Sequence, residues 1–191
     1  SVDLVRDAKA EGLNVTAEVT PHHLSLTQEL LTTFDPVYKV NPPLRSMKDI
    51  QALKVGLLDG TIDAVATDHA PHARRDKELT LDQAPPGMIG LETALGVVLS
   101  CVDLDPVKIA AVMSRNPARI AQITEQHGHN IGVGDIAHLC VVDLNAMWQV
   151  DPSKMASKSR NTPFVGRQLR GMVRSTMYRG QITVLDGVAQ K

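Results

Sequence analysis

The chain has 191 residues, of which 43% are hydrophobic and 21% charged, a composition typical of a globular protein with one or two buried cores. Its formal net charge of -1 gives no reason to expect a nucleic acid or a membrane surface as a partner, and no stretch approaches the ~20 apolar residues that span a bilayer. Its two cysteines, Cys101 and Cys140, lie in apolar runs, which predicts buried thiols in a reducing, cytoplasmic compartment, with a single disulfide as the alternative.

The first 125 residues alternate between helical and β-prone segments. The order begins with a helix over 2–12 that ends at Gly12, a strand over 15–20, a short helix over 27–31 and a helix from its cap at Ser46 to about residue 59. A second strand over 62–67 precedes a long polar loop over 70–89, and helices follow over 90–102, from Asp105-Pro106 and from Asn116-Pro117. This order predicts an α/β fold in which helices connect the strands of a parallel sheet.

The pattern changes after about residue 126. Short strands are predicted over 137–142, 170–178 and 181–184, with turns at Gly132-Val133-Gly134-Asp135 and Arg179-Gly180. We therefore predict an α/β portion over 1–125 and a small β-module over 126–191.

The number of parallel strands is too small for a closed fold. A complete (β/α)₈ barrel takes about 250 residues and eight strands, whereas this chain offers two candidates, 15–20 and 62–67. Two strands flanked by helices leave sheet edges unpaired. The chain is then either a smaller α/β domain or the trailing part of a larger barrel, and its start at Ser1, within a helical pattern and without Met, favours the barrel.

The most informative segment is Thr67-Asp68-His69-Ala70-Pro71-His72, which follows the second predicted strand. In a parallel α/β barrel, the C-terminal ends of the strands carry the chemistry. A carboxylate there can bind a metal ion and exchange a proton with a metal-bound water, and His72 can orient an anionic substrate. The simpler interpretation is a strand followed by an aspartate cap and a polar turn in which His72 is solvated.

Other polar residues are weaker candidates for a functional site. Glu18 lies within an apolar strand, where a carboxylate requires a partner or a metal unless the strand is at an edge. His22-His23 end the same strand, and adjacent histidines on a strand face opposite ways. Asn41-Pro42-Pro43-Leu44-Arg45 is either a stiff loop suited to binding a carboxylate or ring amide, or an exposed connection. His127-Gly128-His129 has a metal-ligand spacing but lies among polar residues, and we interpret it as a surface loop.

Together, these motifs resemble the bacterial dihydroorotases of the amidohydrolase superfamily, over essentially the whole chain and in the family's order. Besides the segments around Glu18, Asn41 and Asp68, the resemblance rests on these stretches: Pro86-Gly87-Met88-Ile89-Gly90-Leu91-Glu92-Thr93, Gly132-Val133-Gly134-Asp135-Ile136-Ala137 and Asn161-Thr162-Pro163-Phe164. His138 departs from the family, where Asp is usual. The resemblance implies the trailing βα units of a TIM-type amidohydrolase barrel over 1–125 and part of a small β-sandwich over 126–191.

The resemblance also implies a reaction, the reversible hydrolysis of dihydroorotate to N-carbamoyl-aspartate in pyrimidine biosynthesis, at a binuclear zinc centre. Asp68 is then a metal ligand and the general acid/base, Asn41 and His72 contact the substrate, and the backbone of Pro86 and Gly87 lines the pocket. In the implied mechanism, a metal-bridging hydroxide attacks the ring amide carbonyl, and Asp68 carries its proton to the departing nitrogen.

The family's other metal ligands do not occur in this sequence. Its His-x-His-x-Arg motif, its bridging Asp or carboxylated Lys and two further histidines precede the stretch matched here, and only Glu18 matches a position linked in some relatives to an additional zinc ion. Zinc is usually held by three or four protein ligands. The resemblance therefore predicts that these 191 residues alone are inactive and metal-free, and that they fold with the missing N-terminal barrel portion.

Three alternative functions stay open. Hydantoinases and allantoinases share the barrel and the last-strand aspartate, although Asn41-Pro42-Pro43-Leu44-Arg45 favours a dihydroorotase. A non-catalytic dihydroorotase-like subunit would scaffold aspartate carbamoyltransferase. Such proteins commonly lose metal ligands, and the intact Asp68, Asn41 and His72 argue against this alternative. A small independent α/β binding domain would fold as a monomer of 20.7 kDa. For the enzyme, the partners implied are a small-molecule substrate and either a second copy in a homodimer or aspartate carbamoyltransferase.

Overall fold

The computed structural model describes residues 1–190 and contains two sheets of different character, one a parallel pair of strands and the other an antiparallel sheet of four. The helices are α1 (Val2–Ala10), α2 (Pro21–Ser25), α3 (Met47–Asp59), α4 (Arg74–Lys77), α5 (Ala94–Cys101), α6 (Pro106–Ala110) and α7 (Asn116–Ile120). The strands are β1 (Glu18–Val19), β2 (Ala64–Val65), β3 (Leu139–Gln149), β4 (Gln168–Tyr178), β5 (Gln181–Leu185) and β6 (Val188–Ala189). The predicted mixed α/β class is confirmed. None of the helices within residues 1–190 has the length and apolar character needed to cross a bilayer.

The parallel pair determines where the candidate site lies. Glu18 is opposite Ala64, and Val19 is opposite Val65. Val19 and Val65 are buried against the helices, whereas Glu18 is exposed. Because the strands are parallel, the segments that follow them leave the sheet at one edge, which we call the carboxyl edge (residues 20–23 and 66–72). The strands are shorter than the predicted 15–20 and 62–67 because, within residues 1–190, each pairs only with the other.

Helix α3 connects the two parallel strands and begins and ends where the sequence predicts. The Ser46 hydroxyl accepts from the Asp49 N–H at 3.4 Å, and the Asp49 carboxylate accepts from the Ser46 N–H at 3.2 Å, which forms a capping box. Gly60 ends the helix with φ of +85°, a conformation that costs a residue with a Cβ free energy.

At the opposite edge of the parallel pair, Asp63 connects three elements. Its carboxylate accepts from Lys9 Nζ at 2.7 Å and from the Ala17 N–H at 2.9 Å, and Arg119 lies 3.8 Å away. Asn116 Nδ2 donates to the backbone oxygen of Asp63 at 2.8 Å. These contacts attach α1, β1 and α7 to the start of β2.

Two clusters of buried apolar side chains hold the elements together. The first packs the helices on the parallel strands, and its members are Val19, Leu24, Leu57, Ile62, Val65, Val98, Leu99, Val102, Leu104, Ile109 and Val112. The second packs α5 and the loops against the antiparallel sheet, and its members are Leu26, Val40, Leu44, Met88, Val97, Val150, Phe164 and Leu169. The second cluster draws on both sides of the predicted boundary at 125/126, and the division into 1–125 and 126–191 stays a prediction, with residue 191 outside the described residues.

The segment that follows β1 differs from its prediction. His22-His23 do not end a strand but lie in α2, where the Thr20 hydroxyl accepts from the His23 N–H at 3.1 Å and Pro21 occupies the first turn. A threonine followed by a proline is a helix-start signal, and the adjacent apolar strand pattern obscured it. The predicted helix over 27–31 is a 3₁₀ helix, Gln28–Thr33, without a side-chain cap from Thr27.

The two helices predicted from Asp105 and Asn116 form one helical path that ends at Ile120. Between α6 and α7, residues 111–115 form a π-helical turn, and the Asn116 N–H donates to the Ala111 oxygen. Pro117 has no N–H and its ring crowds the preceding turn of an α-helix. The wider π turn accommodates this proline within the helix.

The antiparallel sheet contains the predicted strands over 170–178 and 181–184. The strand predicted over 137–142 is longer in the structure. β3 continues to Gln149, beyond the predicted end at 142, through a bulge at Asp143 where the register with β4 shifts. The prediction of two buried thiols is wrong for Cys140, which lies in β3 and is exposed, whereas Cys101 is half-buried and burial raises its pKa. Both cysteines are free, so the disulfide alternative is not realised.

His22 is a buried histidine, and protonation of its side chain opposes folding. The residue is 2% exposed, and burial, together with the neighbouring His23, lowers its pKa from the ordinary histidine value of 6.5 to about 3. Between these two values the unfolded chain binds a proton that the folded chain does not, so stability falls as the pH falls below about 6.5, by at most ~1.4 kcal/mol per pH unit.

We expect His22→Leu to flatten this acid dependence. Between pH 7 and pH 5, the free energy of unfolding of the wild-type protein should fall by about 2 kcal/mol more than that of the variant, measured by urea denaturation. His129→Gln, at an exposed position, serves as the control and should retain the wild-type slope. Parallel slopes for the wild type and His22→Leu would contradict the prediction.

Candidate active site

Asp68 lies at the carboxyl edge, three residues after β2 ends. Its φ is +46°, in the left-handed region, so the chain turns out of the strand direction at this residue. Aspartate adopts this conformation more readily than most residues with a Cβ. Its side chain is exposed, which leaves the carboxylate accessible to a metal ion or a reacting group.

His69 connects the end of β2 to the segment before α5. Its Nδ1 accepts from the Gly90 N–H at 3.0 Å and the Leu91 N–H at 3.3 Å, so the ring proton resides on Nε2. The Ala70 N–H donates to the Met88 oxygen at 2.9 Å alongside this contact. Helix α5 begins at residue 94 rather than at the predicted 90.

His72 is half-buried and contacts the loop that carries Pro86 and Gly87. Its Nε2 lies 3.0 Å from the Pro86 oxygen, so Nε2 donates and Nδ1 is left to accept from a ligand. The backbone of His72 is held on both sides, because its N–H donates to Asn161 Oδ1 at 3.3 Å and its oxygen accepts from the Ser159 hydroxyl at 2.9 Å.

Gly87 is buried and its peptide groups are fully hydrogen-bonded. Its N–H donates to the Lys39 oxygen at 2.8 Å, and its oxygen accepts from Lys77 Nζ at 3.0 Å and from Asn161 Nδ2 at 3.3 Å. Burial lowers the pKa of the Lys77 ammonium, and the neighbouring Lys39 lowers that pKa further. A Cβ at Gly87 would lie 2.9 Å from His72 Nε2, so glycine is required for the approach of the two segments.

The loop containing Asn41 is tied to the same edge. His23 Nδ1 lies 2.7 Å from the Thr20 hydroxyl, and His23 Nε2 lies 3.0 Å from the Pro42 oxygen. His23 therefore bridges the start of α2 and the proline loop rather than ligating a metal. Asn41 itself is exposed, with its amide accessible to a ligand.

The described residues do not complete a metal site. No cluster of three or more His, Cys, Asp or Glu side chains within residues 1–190 has a geometry that could hold a metal ion. Asp68 suits one zinc ligand by its chemistry and exposure, but zinc needs three or four. Glu18, the other predicted candidate, is exposed and belongs to no such cluster within these residues.

The structure brings together three of the residues that the sequence predicts for the site, and it shows no direct hydrogen bond between them and Asp68, Asn41 or Glu18 within residues 1–190. His72, Pro86 and Gly87 are in direct contact, and the Gly87–Lys39 hydrogen bond connects them to the loop before Asn41. Sequence reasoning missed Lys77, in a predicted loop, and it used Asn161 only as part of a motif. Nothing in the local pattern of either residue indicates a contact with Gly87.

The sequence profile of the amidohydrolase family matches residues 7–183 of this chain. Dihydroorotases are among its curated relatives: that of Streptomyces coelicolor is 53% identical over 98% of this chain and 44% of its own length, and that of Mycobacterium tuberculosis is 47% identical over 98% and 44%. The chain spans less than half the length of these relatives.

Among solved structures, an L-hydantoinase (dihydropyrimidinase) from Arthrobacter aurescens aligns with a TM-score of 0.90 and 32% identity over 100% of this chain and 44% of that one. A dihydropyrimidinase from Brevibacillus agri aligns with a TM-score of 0.89 at 23% identity, over 98% of this chain and 43% of that one, a likeness of fold alone. With the family profile extending over most of its residues, this chain belongs to the amidohydrolase family.

Proposed function

We propose that the protein to which this chain belongs is a dihydroorotase that hydrolyses the cyclic amide of dihydroorotate, reversibly, to N-carbamoyl-aspartate. The observation that carries the proposal is the identity with curated dihydroorotases along nearly the whole chain. The contact between His72 and the Pro86–Gly87 backbone supports it, since these are residues that the resemblance assigns to the substrate.

We further propose that residues 1–125 are the trailing βα units of a TIM-type barrel and that residues 126–191 belong to a β-sandwich. Support comes from β1 and β2, which are parallel. Within residues 1–190 each pairs only with the other, so one side of each strand is left for further strands. The antiparallel sheet β3–β6 would be one layer of the sandwich. A homodimer, a complex with aspartate carbamoyltransferase and a cytoplasmic location stay predictions.

In the proposed reaction, the residues of this chain bind the substrate and move a proton. Asp68, exposed at the carboxyl edge, accepts a proton from the attacking water and returns it to the ring nitrogen that departs. His72 Nδ1 accepts from a substrate N–H, the Asn41 amide contacts the ring or its carboxylate, and the backbone of Pro86 and Gly87 closes the pocket. Zinc, when bound, would supply Lewis-acid activation, with Asp68 as one ligand and the others from residues outside this chain.

A hydantoinase is the second candidate, because the solved structure of an L-hydantoinase aligns with this chain at 32% sequence identity and a TM-score of 0.90. The two candidates differ in substrate, since dihydroorotate carries a carboxylate on its ring. The stiff Asn41–Arg45 loop, with an amide and a guanidinium, is suited to that carboxylate, which favours the dihydroorotase.

A substrate panel tests the proposal. The complete protein should hydrolyse dihydroorotate with a kcat/KM at least about 100-fold above its values for hydantoin, dihydrouracil and allantoin, as measured by the loss of ring absorbance. Residues 1–191, expressed alone, serve as the comparison and should bind no stoichiometric zinc and turn over none of the four. Equal or better turnover of hydantoin by the complete protein would contradict the proposal. Activity of the 191-residue chain alone would contradict the separate expectation that it needs ligands from outside its sequence.

A further inference from the structure

We infer that Asn161 is a positioning residue that sets the distance between the segments carrying His72 and Gly87, and so couples the loop after β3 to the substrate side of the carboxyl edge. The inference rests on the proposed function only for the identity of the substrate. Asn161 lies between β3 and β4 and is 89 residues from His72 along the chain.

Asn161 directs its polar atoms at the two segments. Its Nδ2 donates to the Ala70 oxygen at 2.9 Å and to the Gly87 oxygen at 3.3 Å, and its Oδ1 accepts from the His72 N–H at 3.3 Å. Its backbone oxygen accepts from the Ile89 N–H at 3.1 Å. The residue is only 7% exposed, so each of these bonds replaces water at a buried group.

The segment around Asn161 is itself fixed at both ends, which gives the side chain a defined position. On one side, the Glu92 carboxylate accepts from the N–H groups of Ala156 and Ser157 at 2.8 and 3.0 Å. On the other side, Phe164 is buried in the second apolar cluster. A side chain held this way can transmit its position to the segments that it bonds.

The effect on the site follows from how closely Gly87 approaches His72. Asn161 and Lys77 share the Gly87 oxygen, and the Gly87 Cα lies so near His72 that a Cβ would be 2.9 Å from Nε2. A shift of Gly87 therefore moves the His72 ring, which the proposed function places against substrate. Displacements of about 1 Å in such groups cost on the order of 100-fold in rate.

The test compares Asn161→Asp with Asn116→Asp in the complete protein. Both changes remove an amide donor from a backbone oxygen, but Asn116 bonds to Asp63 at the opposite edge of the sheet. We expect Asn161→Asp to lower kcat/KM for dihydroorotate by roughly 10- to 100-fold, mainly through KM, whereas Asn116→Asp lowers the melting temperature and leaves KM within about twofold.

A pH profile separates positioning from a general loss of stability. The carboxyl introduced by Asn161→Asp faces the oxygens of Ala70 and Gly87, and its protonated form can donate as the amide does. The ratio of variant to wild-type kcat/KM should therefore rise as the pH falls. A ratio that is independent of pH, or an equal loss of activity in both variants, would overturn the inference.

Hydrogen–deuterium exchange gives a readout that does not depend on the substrate. In Asn161→Ala the His72 N–H loses its acceptor and should exchange at least about tenfold faster, while Asn116→Ala leaves it unchanged. If the Asn161 variants fold poorly, Ser159→Ala replaces them in the test. This variant removes the hydrogen bond to the His72 oxygen and should also raise KM. Faster exchange without dihydroorotate turnover would support the positioning role while rejecting the proposed function, and unchanged exchange and KM would reject the positioning role.

Discussion

Replacing Asp68 with asparagine is expected to reduce kcat for dihydroorotate by about 100- to 10,000-fold in the complete protein, the range typical for loss of a general acid/base. A carboxamide does not take up and return a proton at neutral pH, so the transfer from water to the departing nitrogen would fail. Asparagine also adopts positive φ readily, and the position is exposed, so the fold should be retained. The measurement is kcat at saturating substrate, with circular dichroism melting as the check on folding.

The chain provides a matched control for this substitution. Asp186 also has a positive φ, +48°, and is exposed, but it lies in the turn between β5 and β6. Asp186→Asn should leave kcat and the melting temperature at their wild-type values. If Asp68→Asn keeps more than about a tenth of wild-type kcat, Asp68 is not the proton carrier and the proposed mechanism is wrong.

Gly87→Ala is expected to reduce kcat/KM by about 100-fold and to destabilise the protein. The added Cβ would lie 2.6 Å from the Ala70 Cβ and 2.9 Å from His72 Nε2, both well inside contact distance. The φ of +129° adds backbone strain, because residues with a Cβ rarely adopt it. The loop must therefore move away from His72 and disturb the proposed substrate contacts.

Gly60→Ala separates the steric effect from the strain. Gly60 also has a positive φ, +85°, but a Cβ there would meet no atom within 4 Å. This control should lose about 1 kcal/mol of stability and retain its kinetic constants. Steady-state kinetics and thermal melts of both variants give the comparison, and similar kinetic constants for the two would show that the Gly87–His72 approach does not matter.

The elements that could be predicted well are those whose signals are local. The capping pair of Ser46 and Asp49 and the glycine at 60 specify both ends of α3 without help from the rest of the chain. The β-prone run before Asp68 likewise leads to β2 and places that carboxylate three residues beyond the strand. Where two local signals competed, as in the Thr-Pro pair after β1, the prediction failed and α2 was missed.

The amino-acid sequence by itself determined the class of the fold, the family and the position of Asp68, because caps, turn glycines and contiguous motifs act over a few residues. The tertiary structure alone decided how the site is held. Asn161, Lys77 and Gly87 meet only because the chain packs the loop after β3 against the carboxyl edge. Such contacts join a side-chain donor to a backbone oxygen as far as 91 residues away along the chain. A backbone oxygen offers the same acceptor at every position, so no residue pattern marks which one will be used.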